Sequence, residues 1–168
     1  MLDGVVISGG EPTLQGDLIE FMQSIKELGF LIKLDTNGSH PEVLREIFKR
    51  KLVDYIAMDV KHSRKKLQKL VKNDCEVNIL LSIELIKNSS IDYEFRSTIL
   101  PAVHDEHDIR DMGKMIAGAK RWYLQNFRPL KTLDKKLSGT RSWSQDELIN
   151  LQRIAQRSVK VVGIRNAF

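Results

Sequence analysis

Residues 4–39 read GVVISGGEPTLQGDLIEFMQSIKELGFLIKLDTNGS, and they decide the fold class. Val5, Val6, Ile7 and Ser8 form a short apolar run that ends in two glycines. Leu18, Phe21, Met22, Ile25 and Leu28 then recur at helical spacing. Asp17 stands where an N-cap belongs, with Glu20 three residues on to complete a capping box. Gly29 can end the helix. Residues 30–36 are again strand-like. The stretch therefore reads strand, helix, strand, which is the repeating unit of a parallel sheet.

The same alternation runs outward to the C-terminus. Pro41 opens a second helix with Val43, Leu44, Ile47 and Phe48 on one face. Residues 53–60 make a third strand. The basic stretch 61–72 and the segment 77–87 both read as helices, the latter with a stripe of Ile79, Leu80, Ile83 and Ile86. Residues 93–100 make a fourth strand, stopped by Pro101. A helix over 105–117, a fifth strand over 121–127 and a polar loop over 128–143 follow. Ser144 and Glu147 form a capping box for a last helix carrying Leu148, Leu151 and Ile154, and residues 159–164 close the chain as a strand. The sequence shows no internal repeat and no low-complexity linker.

Bulk properties fit one soluble α/β domain. The chain has 168 residues, 42% hydrophobic and 29% charged, enough to bury a core. No apolar run reaches the roughly 18 residues of a membrane helix, and the first residues lack the features of a signal peptide. The single cysteine, Cys75, excludes an internal disulfide and a CxxC metal site. A reducing, cytoplasmic location is the expectation. The net charge is +5, and its basic residues crowd into 61–72. With no aromatic residues interleaved for base stacking, that run reads as a solvated helix face over Leu67, Leu70 and Val71 rather than a nucleic-acid site.

Chemistry is expected at the carboxyl ends of the strands. There the sequence places Ser8-Gly9-Gly10-Glu11-Pro12, then Leu34-Asp35-Thr36-Asn37-Gly38, then Met58-Asp59-Val60-Lys61. Strand alternation puts Ala57, Asp59 and Lys61 on one face, and Arg96 with Thr98 on one face of the fourth strand. Parallel strands are normally apolar on both faces, so these charges need partners or a ligand. Their convergence on one mouth is the pattern of a site for a charged small molecule. A simple Asp–Lys pair is the structural alternative for Asp59 and Lys61. His104 and His107 are three apart near a helix start, a spacing open to a metal pair but better read as capping or solvent exposure. His40 and His62 follow strand ends and could line the mouth.

Taken in order, ISGGEPTLQ, LDTNGS, AMDVKH, YEFRSTILP and LQNFRP resemble the radical S-adenosylmethionine (SAM) superfamily. The likeness is strongest to the branch that activates anaerobic ribonucleoside-triphosphate reductase, and it covers nearly all of the chain. The resemblance implies a partial, open (β/α)6 barrel of parallel strands, lacking the first βα unit, with residues 1–168 as the radical SAM core. It implies that Gly9, Gly10 and Glu11 hold the SAM amino group and that Asp35 lies near the ribose, beside Thr36 and Asn37. Lys61 and Arg96 would meet the sugar and the SAM carboxylate, and Gln125 would face the adenine. Asp35, Thr36 and Asp59, with the Ala57 carbonyl, resemble ligands of a monovalent cation.

The implied activity is reductive SAM cleavage at a 4Fe–4S cluster. The resulting 5′-deoxyadenosyl radical takes hydrogen from a glycine of anaerobic ribonucleotide reductase or another glycyl-radical enzyme. Flavodoxin or ferredoxin would donate the electron. The departure is that the cluster motif of the family, CxxxCxxC, is absent, and Cys75 cannot replace three clustered thiolates. The sequence therefore reads as a core with its cluster-binding front end missing, expected to be inactive alone, and with its first strand left as an exposed edge. Other readings are a pyruvate formate-lyase activase, a 7-carboxy-7-deazaguanine synthase, or a non-catalytic SAM-binding protein that has lost its cluster.

Overall fold

A computed structural model describes residues 2–70, 75–129 and 135–166. Its strands are β1 (Gly4–Ile7), β2 (Leu31–Thr36), β3 (Tyr55–Asp59), β4 (Asp92–Ile99), β5 (Arg121–Asn126) and β6 (Val161–Arg165). They form one parallel α/β sheet in chain order, as expected for successive βα units. The helices are α1 (Leu18–Glu27), α2 (Pro41–Lys49), α3 (Arg64–Leu70), α4 (Cys75–Lys87), α5 (Glu106–Met115) and α6 (Gln145–Ala155). No described helix is long and apolar enough to cross a membrane.

The chain divides into two compact units. The first holds residues 1–59 and 68–94, the second residues 60–67 and 95–168. In the first unit β1 pairs with β2 and β2 with β3, with Ile7 opposite Leu34 and Asp35 opposite Ala57. Along β2 the odd positions Leu31, Lys33 and Asp35 are more exposed than Ile32, Leu34 and Thr36, which are buried. That alternation sends Ile32 and Leu34 into a core with Met22, Leu44, Ile47 and Ile56, each fully or almost fully buried. β1 ends the strand order, and apolar side chains near it stay wet: Val6 is 58% exposed, Phe21 54% and Leu31 55%. Leu18 and Ile25 of α1 are buried, while Phe21, and Leu28 beyond the helix end, are exposed.

In the second unit β4 pairs with β5 and β5 with β6. Arg96 lies opposite Tyr123, and Tyr123 opposite Gly163. Trp122 fills the apolar side of this sheet with no solvent exposure, and its indole N–H donates to Ser97 Oγ at 2.9 Å. A buried tryptophan of this kind accounts for about 3–5 kcal/mol against truncation to alanine.

Several local expectations change in the structure. Asp17 is the N-cap of α1 but makes no side-chain capping bond, because its ψ of 8° is not the extended value that the box needs. The third strand is shorter than 53–60 and ends at Asp59, so Lys61 lies two residues past it and strand alternation does not set its face. The basic helix spans Arg64–Leu70, and residues 71–74 lie outside the described part. The loop over 128–143 contains a 3-10 turn at Lys135–Leu137, and residues 130–134 are likewise outside. The Ser144–Glu147 box forms as expected.

Candidate functional site

In the first unit the loops after β1 and β2 meet at one carboxylate. Glu11 is 8% exposed and caps a 3-10 turn at Pro12–Leu14. Its Oε1 accepts from Thr13 N at 3.2 Å, Thr13 Oγ1 at 2.6 Å and Thr36 Oγ1 at 2.7 Å. Its Oε2 accepts from Asn37 N at 2.6 Å. Four donors on one buried carboxylate satisfy the charge and lock two strand-end loops together. His40 Nδ1 adds contacts to Thr13 Oγ1 and Ser39 Oγ at 3.2 and 2.8 Å.

The β2–α2 loop is tied on its other side to α4. Ser82 Oγ donates to the Gly38 carbonyl at 2.7 Å, and Asn78 Nδ2 to that of Ser39 at 3.1 Å. Gly38 has φ +75°, in the left-handed region that favours glycine, and a Cβ there would crowd Met58 Cε at 2.1 Å and Ser82 Cβ at 3.2 Å. Asn37 Oδ1 closes an Asx turn on Ser39 N at 2.8 Å.

Gly9 and Gly10 are the open part of this loop system. No atom lies within 4 Å of where a Cβ would stand on either. They line a groove of about 560 Å³ with Glu11, Pro12, Leu14 and Phe21. Such backbone is accessible to a ligand. A groove of about 1050 Å³ lined by Arg45, Lys51, Asp54, Asn88 and Asp92 is larger. It sits before β3 and β4, at their amino ends, where parallel α/β folds do not carry their chemistry.

Asp35 forms an ion pair with Lys33 at 3.0 Å. Thr36 points to the other face of β2 and gives its hydroxyl to Glu11, so the Asp35 and Thr36 side chains do not face a common ion. Among the described residues no group of three His, Cys, Asp or Glu could hold a metal ion. Cys75 is alone at the start of α4, so the residues here do not fit a 4Fe–4S cluster.

In the second unit β4, β5 and β6 present one polar face. Register sets Arg96 beside Tyr123 and Gly163, and Thr98 beside Gln125 and Arg165. Thr98 Oγ1 lies 3.4 Å from Gln125 Oε1. The Arg165 guanidinium lies 3.7 Å from the Tyr123 ring centre, and a Cβ on Gly163 would clash with that ring at 2.6 Å. Arg96, Tyr123, Gln125 and Arg165 are all half-buried, a suitable exposure for polar groups lining a ligand site. Sequence reasoning named Arg96 and Gln125 but missed Tyr123 and Arg165. The signal was present: Arg121, Tyr123 and Gln125 alternate with Trp122 and Leu124 along β5.

His104 is neither a capping residue at the surface nor one of a metal pair. It is 3% exposed, and its ring makes two main-chain bonds: Leu100 N donates to Nδ1 at 3.3 Å, and Nε2 meets the Lys61 carbonyl at 2.9 Å. Burial pushes its pKa down, and the His62 ring stacked on it at 5.8 Å is pushed down for the same first reason. Asp108 accepts from Ser63 Oγ at 2.7 Å and pairs with Lys66, which also reaches the Val103 carbonyl. These hydrogen bonds hold the Asp108 carboxyl below its usual range despite the opposing cost of burial. Asp35 and Asp59 belong to the first unit, Lys61, Arg96 and Gln125 to the second.

Residues 1–116 match the family described as the Radical SAM superfamily. A protein of Methanocaldococcus jannaschii provisionally named a glycyl-radical enzyme activating enzyme is 40% identical over 169 residues, covering 97% of this chain and 70% of that protein. A second protein of that organism with the same kind of name is 28% identical over 120 residues, and this chain spans 46% of its length. Among solved structures, a domain of a pyruvate-formate lyase-activating enzyme from Bacteroides vulgatus shares the fold. Its TM-score is 0.71 at 19% identity, covering 95% of this chain and 99% of that one.

Proposed function

This chain belongs to the radical SAM superfamily, and from that premise we propose that it is the SAM-binding core of an activating enzyme for a glycyl-radical enzyme, with anaerobic ribonucleotide reductase as its target. The observation that carries the reading is the 40% identity, sustained across 97% of the chain, to a relative bearing the activating-enzyme name. The family implies SAM and a 4Fe–4S cluster as cofactors. Its hydrogen-abstracting chemistry comes from those cofactors, with flavodoxin or ferredoxin as electron donor in this proposal.

The chain's own residues bind and orient. Gly9 and Gly10 offer main-chain groups to the SAM amino group, with Glu11 holding the loop that presents them. Asp35, Thr36 and Asn37 border the ribose, Lys61 and Arg96 meet the sugar and the carboxylate, and Gln125 meets the adenine. A monovalent cation at Asp35 and Asp59, completed by main-chain oxygen from Thr36 and Ala57, belongs to the same proposal.

The lone cysteine favours a second reading, a cluster-free SAM-binding protein. Two measurements bear on these readings, and the second separates them. Anaerobic reconstitution with iron and sulfide is expected to give neither a stoichiometric 4Fe–4S absorbance nor 5′-deoxyadenosine from this chain alone, and either product would sink that expectation. The activase reading predicts SAM-dependent binding to anaerobic ribonucleotide reductase or another glycyl-radical enzyme. SAM binding with no affinity for any glycyl-radical enzyme would favour the cluster-free reading.

A further inference from the structure

The short link between β3 and α3 is held with unusual thoroughness for a loop. Val60 N donates to the Arg96 carbonyl at 2.7 Å, and Ser97 Oγ donates to the Val60 carbonyl at 2.6 Å. The next carbonyl, that of Lys61, is taken by His104 Nε2 at 2.9 Å. Ser63 Oγ is taken by Asp108 at 2.7 Å. Ser97, His104, Ser63 and Asp108 are all buried. All of these groups lie in the second unit.

The ring nitrogens of His104 have fixed roles. Leu100 N–H points at Nδ1, so Nδ1 accepts and the proton sits on Nε2, which donates to Lys61. A neutral, buried imidazole thus spans from the end of β4 to the main chain of Lys61. The Lys61 side chain itself is exposed. The result is a hydrogen-bonded backbone carrying a long cationic side chain. Ordering such a side chain on a ligand costs up to about 2 kcal/mol of rotamer freedom, so an anchored Cα removes the other main source of disorder.

We propose that His104 and Asp108 are positioning residues that hold the Lys61 main chain so that its ammonium group meets the carboxylate of the bound ligand. The inference rests on the reading of Lys61 as a SAM contact. It extends that reading to residues of the β4–α5 connection that touch no ligand. His104 acts on the carbonyl of Lys61 itself. Asp108 acts two residues on, through Ser63, and is in turn steadied by Lys66 and by its capping box with Asp105.

The test is a pair of affinities on the full 168-residue chain, read by NMR titration, which registers even millimolar binding. The ligands are SAM and 5′-methylthioadenosine, which keeps the adenosyl group and lacks the carboxylate. His104→Gln is expected to weaken SAM about tenfold, the scale of one charged hydrogen bond, and to leave 5′-methylthioadenosine within about twofold. In a Lys61→Ala background the same substitution should change SAM affinity by less than about twofold. Ser63→Ala, which removes only a hydroxyl, should show the same selective loss at smaller size, and it carries the test if His104→Gln fails to fold. Equal weakening of both ligands would overturn the proposal, since it would mark a role in the fold alone. A Lys61→Ala chain that loses SAM affinity while neither His104→Gln nor Ser63→Ala does would overturn the positioning role and leave the SAM reading standing. A Lys61→Ala chain with unchanged SAM affinity, or a parent chain with no SAM-dependent shifts, would overturn both.

Discussion

The two units close their strand-end loops by opposite means. In the first, the loops after β1 and β2 meet on an anion, Glu11, which takes four donors. In the second, the loops after β3 and β4 meet on a neutral ring, His104, and on a carboxylate that shares its charge with Lys66. Both solutions satisfy buried polar groups, but they fail differently. Removing the single acceptor strands several donors at once, whereas the second arrangement divides its load between two side chains.

That contrast orders the expected effects. Glu11→Ala leaves two hydroxyls and two N–H groups without their acceptor and should cost about 3 kcal/mol or more in urea denaturation. A loss below about 1 kcal/mol would show that the loops close without it. Asp108→Ala removes the Ser63 bond and half of a capping box, and about 2 kcal/mol is expected, less than for Glu11. The reverse ranking would break the comparison.

Acid should act next, and through the second unit. His104 and His62 both have pKa values lowered from the ordinary 6.5. The unfolded chain therefore binds more protons than the folded one below that value. Their contribution to stability is complete above about pH 6.5 and is lost as pH falls towards the folded values. Melts between about pH 7 and 5 should show this slope, and His104→Gln should flatten it. A slope untouched by that substitution would assign the acid sensitivity elsewhere. The smallest effect belongs to the exposed Arg141–Glu147 fork at the start of α6. It pulls Glu147 down to about 2, yet the pair is open to solvent, so Arg141→Ala should leave the melting temperature within error.

The sequence disclosed the fold where pattern and backbone agree. Ser144-Gln145-Asp146-Glu147 and Asp17-Leu18-Ile19-Glu20 are equivalent as text, but only the first forms its box. Ser144 is extended, at ψ 167°, while Asp17 sits inside a turn in which Leu18 N bonds the Gln15 carbonyl. The strand-end residues were likewise legible, since charges at the ends of parallel strands are conspicuous. What could not be read was who bonds whom. Glu11 joins loops 25 residues apart, and His104 reaches Lys61 across 43 residues. Such pairings depend on strand order and register, which local periodicity does not encode. His104 was misassigned for that reason: beside His107 in sequence it suggests a surface pair, but in space its neighbour is His62.

The proposed SAM site draws on groups at the carboxyl ends of the strands. Titrating isotopically labelled chain with SAM and following backbone amides tests it directly. Gly9, Gly10, Asn37, Lys61, Arg96 and Gln125 should shift together along one saturation curve. Shifts confined to the larger groove around Arg45, Lys51 and Asn88, or no shift at all, would contradict it.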